Sequence, residues 1–190
     1  MYSMLLHEGI LFAGTNKGLF YSRLNAESYR EFSNPEFILL PGSESQVWSL
    51  EQYGNQVFCG HNDGTYEVQD LEWKEVSETS GGYSLKPING IDEEYLLQST
   101  YTDLVFYKKE DGRWNYHHYI GNFNQPIKYI ASDHLGNIWA GHNTKGLFRV
   151  ELTEDLRAIK QLIYYGEENG FRSDYQIGVF EVNHRVVFLN

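Results

Sequence analysis

The chain holds one cysteine, four prolines and two methionines in 190 residues. A single thiol, Cys59, excludes an intrachain disulfide framework and any multi-cysteine zinc site. Set inside an apolar stretch, it reads as a small buried core residue. No run approaches the roughly 20 apolar residues that a membrane-spanning helix needs, so direct membrane insertion is not expected. The N-terminus lacks a basic segment followed by an apolar run and a small-residue cleavage site, so no signal peptide is expected within these residues. Basic residues are also scarce, 15 Lys and Arg against 26 Asp and Glu, for a net charge of −11. Phosphate backbones are held by clustered Lys and Arg, and a nucleic-acid partner is therefore not expected. A nucleophile elbow and a phosphate loop are missing, so no catalytic residue and no cofactor is assigned. Helical signals are nearly absent, with only residues 154–162 offering a helical turn or two.

Aromatic residues make up 16% of the chain and suit strand faces. They are arranged in a repeat. Residues 136–150, GNIWAGHNTKGLFRV, are a near copy of residues 9–22, GILFAGTNKGLFYS. A third copy, GNQVFCGHNDGTYEV, lies at 54–68, a degenerate fourth at 94–108, and a fifth begins near the end. The second apolar strand centres on Phe12, Phe58, Leu97, Trp139 and Phe188, with spacings of 46, 39, 42 and 49 residues. Such a period, roughly 40 to 50 residues, is the size of a propeller blade.

Each copy reads as four short strands. An apolar strand recurs upstream at 2–6, 47–50, 88–91, 127–130 and 177–180. The second strand is apolar on both faces, as a sandwiched strand should be. A tight loop follows, Asn16-Lys17-Gly18, Asn62-Asp63-Gly64 or Asn143-Thr144-Lys145-Gly146, in which glycine supplies positive φ. The third strand comes next, and a more polar fourth strand falls at 37–40, 73–76, 114–119 and 161–165. One such sheet cannot bury both faces alone, whereas stacked sheets bury each other. The fold class expected is all-β, a β-propeller-type stack of four-stranded antiparallel blades. Residues 1–190 read as one propeller segment with blades at 2–44, 45–84, 85–124 and 125–170 and a partial blade at 171–190. On this reading the chain is part of a longer propeller.

Asp133-His134-Leu135-Gly136-Asn137-Ile138-Trp139-Ala140-Gly141, followed by Gly146-Leu147-Phe148-Arg149, resembles the two-component regulator propeller repeat. That repeat has an aspartate, a Gly-Asn-Ile-Trp-(Ile/Ala)-Gly-Thr core and a Gly-Leu pair. Residues 9–20 fit its second half, 54–66 fit loosely, and 94–108 lack its glycines. The resemblance implies the periplasmic sensor region of a hybrid two-component histidine kinase of Bacteroidetes, with glycan fragments as ligands. Phosphorelay chemistry would then reside in kinase domains of the parent protein, outside these residues. The partners implied are an oligosaccharide, the remaining blades and those kinase domains.

His61 and His142 occupy one repeat position, filled by Thr15 and Thr100 in the other copies. They are candidate ligand contacts, although a side chain there is also placed to bond the hairpin backbone. Tyr101 replaces the loop asparagine of the other copies and is the preferred ligand residue. Trp48, Trp73, Tyr83 and Trp114 also fall outside the consensus, and aromatic rings there suit sugar faces. Trp48 joins Tyr101, His61 and His142 as a candidate binding residue. His117-His118 lies in a fourth strand, where neighbours should point to opposite faces, so no metal site is expected. Two further functions stand beside sensing: a protein-interaction scaffold that dimerises through its blade edges, and a propeller lyase or hydrolase.

Overall fold

A computed structural model describes residues 1–24, 36–89, 94–121, 123, 126–142, 144–183 and 185–189. They form two compact units, Met1–Gly82 and Tyr83–Asn190. The first unit has two four-stranded antiparallel sheets. One contains β1 (Ser3–His7), β2 (Ile10–Thr15), β3 (Gly18–Arg23) and β4 (Ile38–Leu39) in chain order. The other contains β5 (Val47–Tyr53), β6 (Gln56–His61), β7 (Thr65–Gln69) and β8 (Glu72–Ser77). In the second unit the sheets are β9 (Ser84–Pro87), β10 (Tyr95–Ser99), β11 (Leu104–Glu110) and β12 (Arg113–Ile120), then β13 (Ile127–Ser132), β14 (Ile138–His142), β15 (Leu147–Leu152) and β16 (Ile159–Tyr165). A two-stranded sheet of β17 (Gly178–Val182) and β18 (Arg185–Leu189) ends the chain. These are propeller-type blades, as the repeat predicts.

The sheets stack by one rule within each unit. The first strand of a sheet packs on the first two strands of the sheet before it: β5 on β1 and β2, β13 on β9 and β10, β17 on β13 and β14. Residues that alternate on facing strands fill the space between. Phe12, Leu19, Val47, Val57 and Cys59 make the core of the first unit. Leu97, Phe106, Ile127, Ile138 and Val150 make one in the second. Burying one such side chain is worth about 1.5–3 kcal/mol, so the stacked faces, more than the hairpin turns, hold the blades together. Cys59 is fully buried there, and burial pushes its thiol well above the ordinary range.

Glycine closes the second strand where the next chain segment passes against it. A Cβ on Gly60 would run into the Gly82 carbonyl, and one on Gly141 into the Ile177 carbonyl. The degenerate copy has Ser99 at this position, fully buried.

The Asp-x-x-Gly-Asn-Ile-Trp motif is a turn lock. Asp133 Oδ1 accepts the backbone N–H groups of Leu135 at 2.9 Å and Asn137 at 3.0 Å, and Oδ2 accepts Trp139 Nε1–H at 2.9 Å and Asn137 Nδ2–H at 3.0 Å. Burial acts to raise the Asp133 carboxyl, but these hydrogen bonds outweigh it and hold the group below its usual value.

Four expectations are corrected. Residues 154–162 are not helical: Asp155 and Leu156 lie in the turn before β16, and the only helical piece among the described residues is a short 3-10 turn at Glu167–Asn169. The first strand of the third sheet is Ser84–Pro87 rather than 88–91, and residues 90–93 of that expectation lie outside the described residues. Gly18 and Gly146 do have positive φ, 133° and 78°. Gly64 does not; instead, a Cβ there would sit 2.5 Å from the Ser77 carbonyl oxygen. Finally, His117 and His118 do not face apart. The pairing shifts from Phe106↔His118 to Tyr107↔Tyr116, leaving His117 as the extra residue of a β-bulge. That bulge breaks the two-residue alternation and brings the two rings together, with centroids 4.8 Å apart.

Candidate functional site

The candidate residues all lie at the same end of their own sheets, where the second strand turns into the third and the first strand begins. The side chain that follows the second strand's closing residue organises each hairpin there. Thr15 Oγ1 accepts the Lys17 N–H at 3.0 Å and donates to the Gly18 carbonyl at 2.9 Å. Thr100 Oγ1 accepts the Asp103 N–H at 2.9 Å and donates to the Asp103 carbonyl at 2.8 Å. In the other two copies imidazole performs the accepting half of this task. His61 Nδ1 accepts the Asp63 N–H at 3.2 Å, and His142 Nδ1 accepts the Thr144 N–H at 2.9 Å.

An accepting Nδ1 fixes the neutral tautomer with its proton on Nε2. His61 Nε2–H then donates to the Glu44 carbonyl at 3.1 Å, while the ring meets Tyr66 and Trp73 edge-on. Both ring nitrogens of His61 are thus committed to backbone, and the residue is only 3% exposed. His142 is equally buried, its Nε2 has no partner among the described residues, and burial and then Lys145 hold its pKa below the usual imidazole value. Asn143 of its loop lies outside the described residues.

Tyr101 is held differently. It follows Thr100, whose hydroxyl braces the loop from both sides, and Thr102 Oγ1 adds a 2.8 Å hydrogen bond to Asp103 Oδ2. The half-buried Tyr101 ring meets Tyr83 edge-on with centroids 5.3 Å apart. Tyr83 is itself anchored by its N–H to the Ser99 carbonyl at 2.9 Å. Burial, and secondarily the neighbouring Tyr101, push the Tyr83 phenol up to about 12. Two rings set edge to face, one on the braced loop and one on the connection into β9, offer apolar faces and hydroxyl groups side by side, the chemistry that binds a sugar ring.

Trp48 reaches this end of its sheet through a bulge. Val47 pairs with His61 and Ser49 with Gly60, so Trp48 is an extra residue. Its ring lies 5.0 Å from that of Tyr2, and Gln46 Nε2–H donates to the Tyr2 hydroxyl at 3.3 Å. The same bulge recurs in β13, where Ile127 pairs with His142 and Tyr129 with Gly141, placing Lys128 where the other sheet has Trp48. Tyr2, Gln46 and Lys128 were not legible as site residues. The available signal was a one-residue excess in the first strand of each hairpin.

Other features of the molecule are poorer sites. A void lined by Ile88, Leu97, Ile130 and Ile138 measures about 10 Å³, room for one water at most. Among the described residues no three His, Cys, Asp or Glu side chains are grouped to hold a metal. Nor is any helix among them long and apolar enough to cross a membrane.

No family profile and no curated protein matches this sequence. Solved structures do match. The extracellular domain of BT4673 from B. thetaiotaomicron, described as a one-component system, is similar over 98% of this chain with a TM-score of 0.65 and 16% identity. Another structure of that domain, described as belonging to a hybrid two-component system, aligns over 98% of this chain with a TM-score of 0.64 and 17% identity. The AfRom2 CNH domain aligns over 99% of this chain and 64% of its own, with a TM-score of 0.59 and 12% identity. This chain spans 25% of the length of either BT4673 chain. At these identities the likeness is one of fold alone.

Proposed function

We propose that this chain is a noncatalytic, ligand-binding propeller segment of an extracellular or periplasmic sensor, and that its ligand is an oligosaccharide. The observation that carries the reading is the Tyr83–Tyr101 pair, two half-buried rings set edge to face where the connection into β9 meets the hairpin loop braced by Thr100. Trp48, turned out by its bulge beside Tyr2 and Gln46, supplies a second platform of the same chemistry in the other unit. His61 and His142 act as hairpin braces rather than as ligand contacts. The net charge of −11 favours neutral over anionic sugars. The sensor role and the location outside the cytoplasm draw support from the fold shared with the BT4673 extracellular domain. On this proposal any kinase and phosphorelay chemistry belongs to domains outside this chain.

Thermal-shift screening with short neutral oligosaccharides tests this. A saturable upward shift that is lost in Tyr101→Ala supports sensing; no shift at millimolar ligand counts against it. The scaffold reading is favoured by a different observation, the exposed apolar face of β17 and β18 formed by Phe180, Val182, Val187 and Leu189. Light scattering of the purified chain separates the two, since a strictly monomeric particle removes the case for edge-mediated homodimers.

A further inference from the structure

The bulge in β12 sets two imidazoles nose to nose. His117 Nδ1 and His118 Nδ1 are 2.6 Å apart. Two lone pairs cannot face each other at that distance, so a positive centre must lie between them. In the metal-free chain this is one proton. His118 Nε2 lies 2.7 Å from the Leu156 carbonyl and donates to it, which leaves His118 Nδ1 as an acceptor. His117 Nδ1–H then supplies the bridge, and the residue is half-exposed.

The same arrangement has the features of a metal site. A ligating histidine commonly donates its second ring N–H to a backbone carbonyl, which fixes its tautomer and aims the other nitrogen. His118 does this through Leu156, and its ring is further clamped flat against Phe106, centroids 4.5 Å apart and 6° from parallel. The His117 ring is steadied edge-on by Tyr95 at 5.6 Å. Two neighbouring positions on a metal bound at 2.0–2.1 Å are about 2.9 Å apart. Parting the two nitrogens by about 0.3 Å, with each ring turned so that its lone pair meets the metal beside the N–N line, converts a proton bridge into two neighbouring ligand positions.

We propose that His117 and His118 form a two-histidine site for a borderline transition-metal cation, with Cu²⁺ preferred over Ni²⁺ and Zn²⁺. Imidazole suits these ions, and Cu²⁺ binds tightest among them. On binding, the His117 proton leaves Nδ1 and a proton is taken up at Nε2 from solvent, so the neutral pair gains the metal with no net proton release. Water fills the remaining positions. Because Leu156 lies in the β15–β16 turn, the site joins β12 to the neighbouring sheet of the same unit. This inference is independent of the sugar-binding reading.

Titration of the full chain with copper sulfate, followed by electron paramagnetic resonance, is the test. One Cu²⁺ per chain is expected, with hyperfine coupling to two imidazole nitrogens. His117→Ala should weaken binding at least tenfold and reduce the coupling to one nitrogen, and His118→Gln should do the same. Should His118→Gln fail to fold, the half-exposed His117 decides alone. Equal Cu²⁺ affinity in wild type and His117→Ala, or no saturable binding in wild type, overturns the site and leaves the pair a hydrogen bond only.

Discussion

Replacing Asp133 by alanine removes the acceptor on which four donor groups converge: two backbone N–H groups, the Asn137 amide and the Trp139 indole. Hydrogen bonds to a charged acceptor are each worth about 1.5–3 kcal/mol. Their sum overstates the loss, because Asp133 is only half buried and water can reach the Leu135 side. The indole and Asn137 donors, by contrast, are left without a ready replacement. A net cost of about 3 kcal/mol follows, which lowers Tm by about 6–12 °C in a chain of this size. The effect should depend on pH with a definite sign. Hydrogen bonding holds the native Asp133 carboxyl below its unfolded value of 3.8, so its contribution is fully present above that value and is lost as pH falls through the native pKa. Differential scanning calorimetry of wild type and Asp133→Ala from neutral pH downward should therefore show a constant Tm gap that narrows in acid. Near-ultraviolet circular dichroism should report a changed Trp139 environment in the variant. A variant with wild-type Tm, or a gap that does not change with pH, would refute the turn-lock argument.

Other consequences are simpler to read. Cys59, fully buried with its thiol pushed up by burial, should resist a thiol reagent in the native protein and react once denatured; fast native labelling would contradict the packing of the first unit. His142→Thr keeps an acceptor for the Thr144 N–H while His142→Val does not, so equilibrium denaturation should find the threonine variant more stable by about 1 kcal/mol. Gly60→Ala forces a Cβ onto the Gly82 carbonyl and should cost about 2–3 kcal/mol in the same assay, whereas Gly54→Ala, with open space around it, strains only its positive φ of 63°.

The blades were legible because their signals are strong and repeated. Gly14, Gly60 and Gly141 close a second strand that is apolar on both faces, and Asp133 with Trp139 marks the one complete turn lock. What escaped was carried by single extra residues. A period of two says that His117 and His118 face apart, and one bulged residue reverses that; Trp48 stood out as an aromatic outside the consensus, but the bulge that sets it beside Tyr2 did not. Residues 154–162 show the same weakness in another form: charged and apolar residues mix as on a helix, but the pairing of β15 with β16 claims residues 159–162 for a strand. Gly64 looked like its counterparts at Gly18 and Gly146 yet is required for space instead of φ, a distinction that only the approach of Ser77 reveals. Of the site residues, Tyr101 could be singled out by its departure from the loop asparagine. Its partner Tyr83, contributed by the connection into the third sheet, is joined to it by the fold.

On the proposed reading, the Tyr83–Tyr101 platform beside the braced hairpin binds sugar. Isothermal titration calorimetry with short neutral oligosaccharides, on wild type and on Tyr101→Ala and Tyr101→Phe, tests it most directly. Saturable binding to wild type, retained in large part by phenylalanine and reduced at least tenfold by alanine, is the result predicted. Binding that is indifferent to the alanine change, or no binding to any neutral oligosaccharide at millimolar concentration, contradicts it.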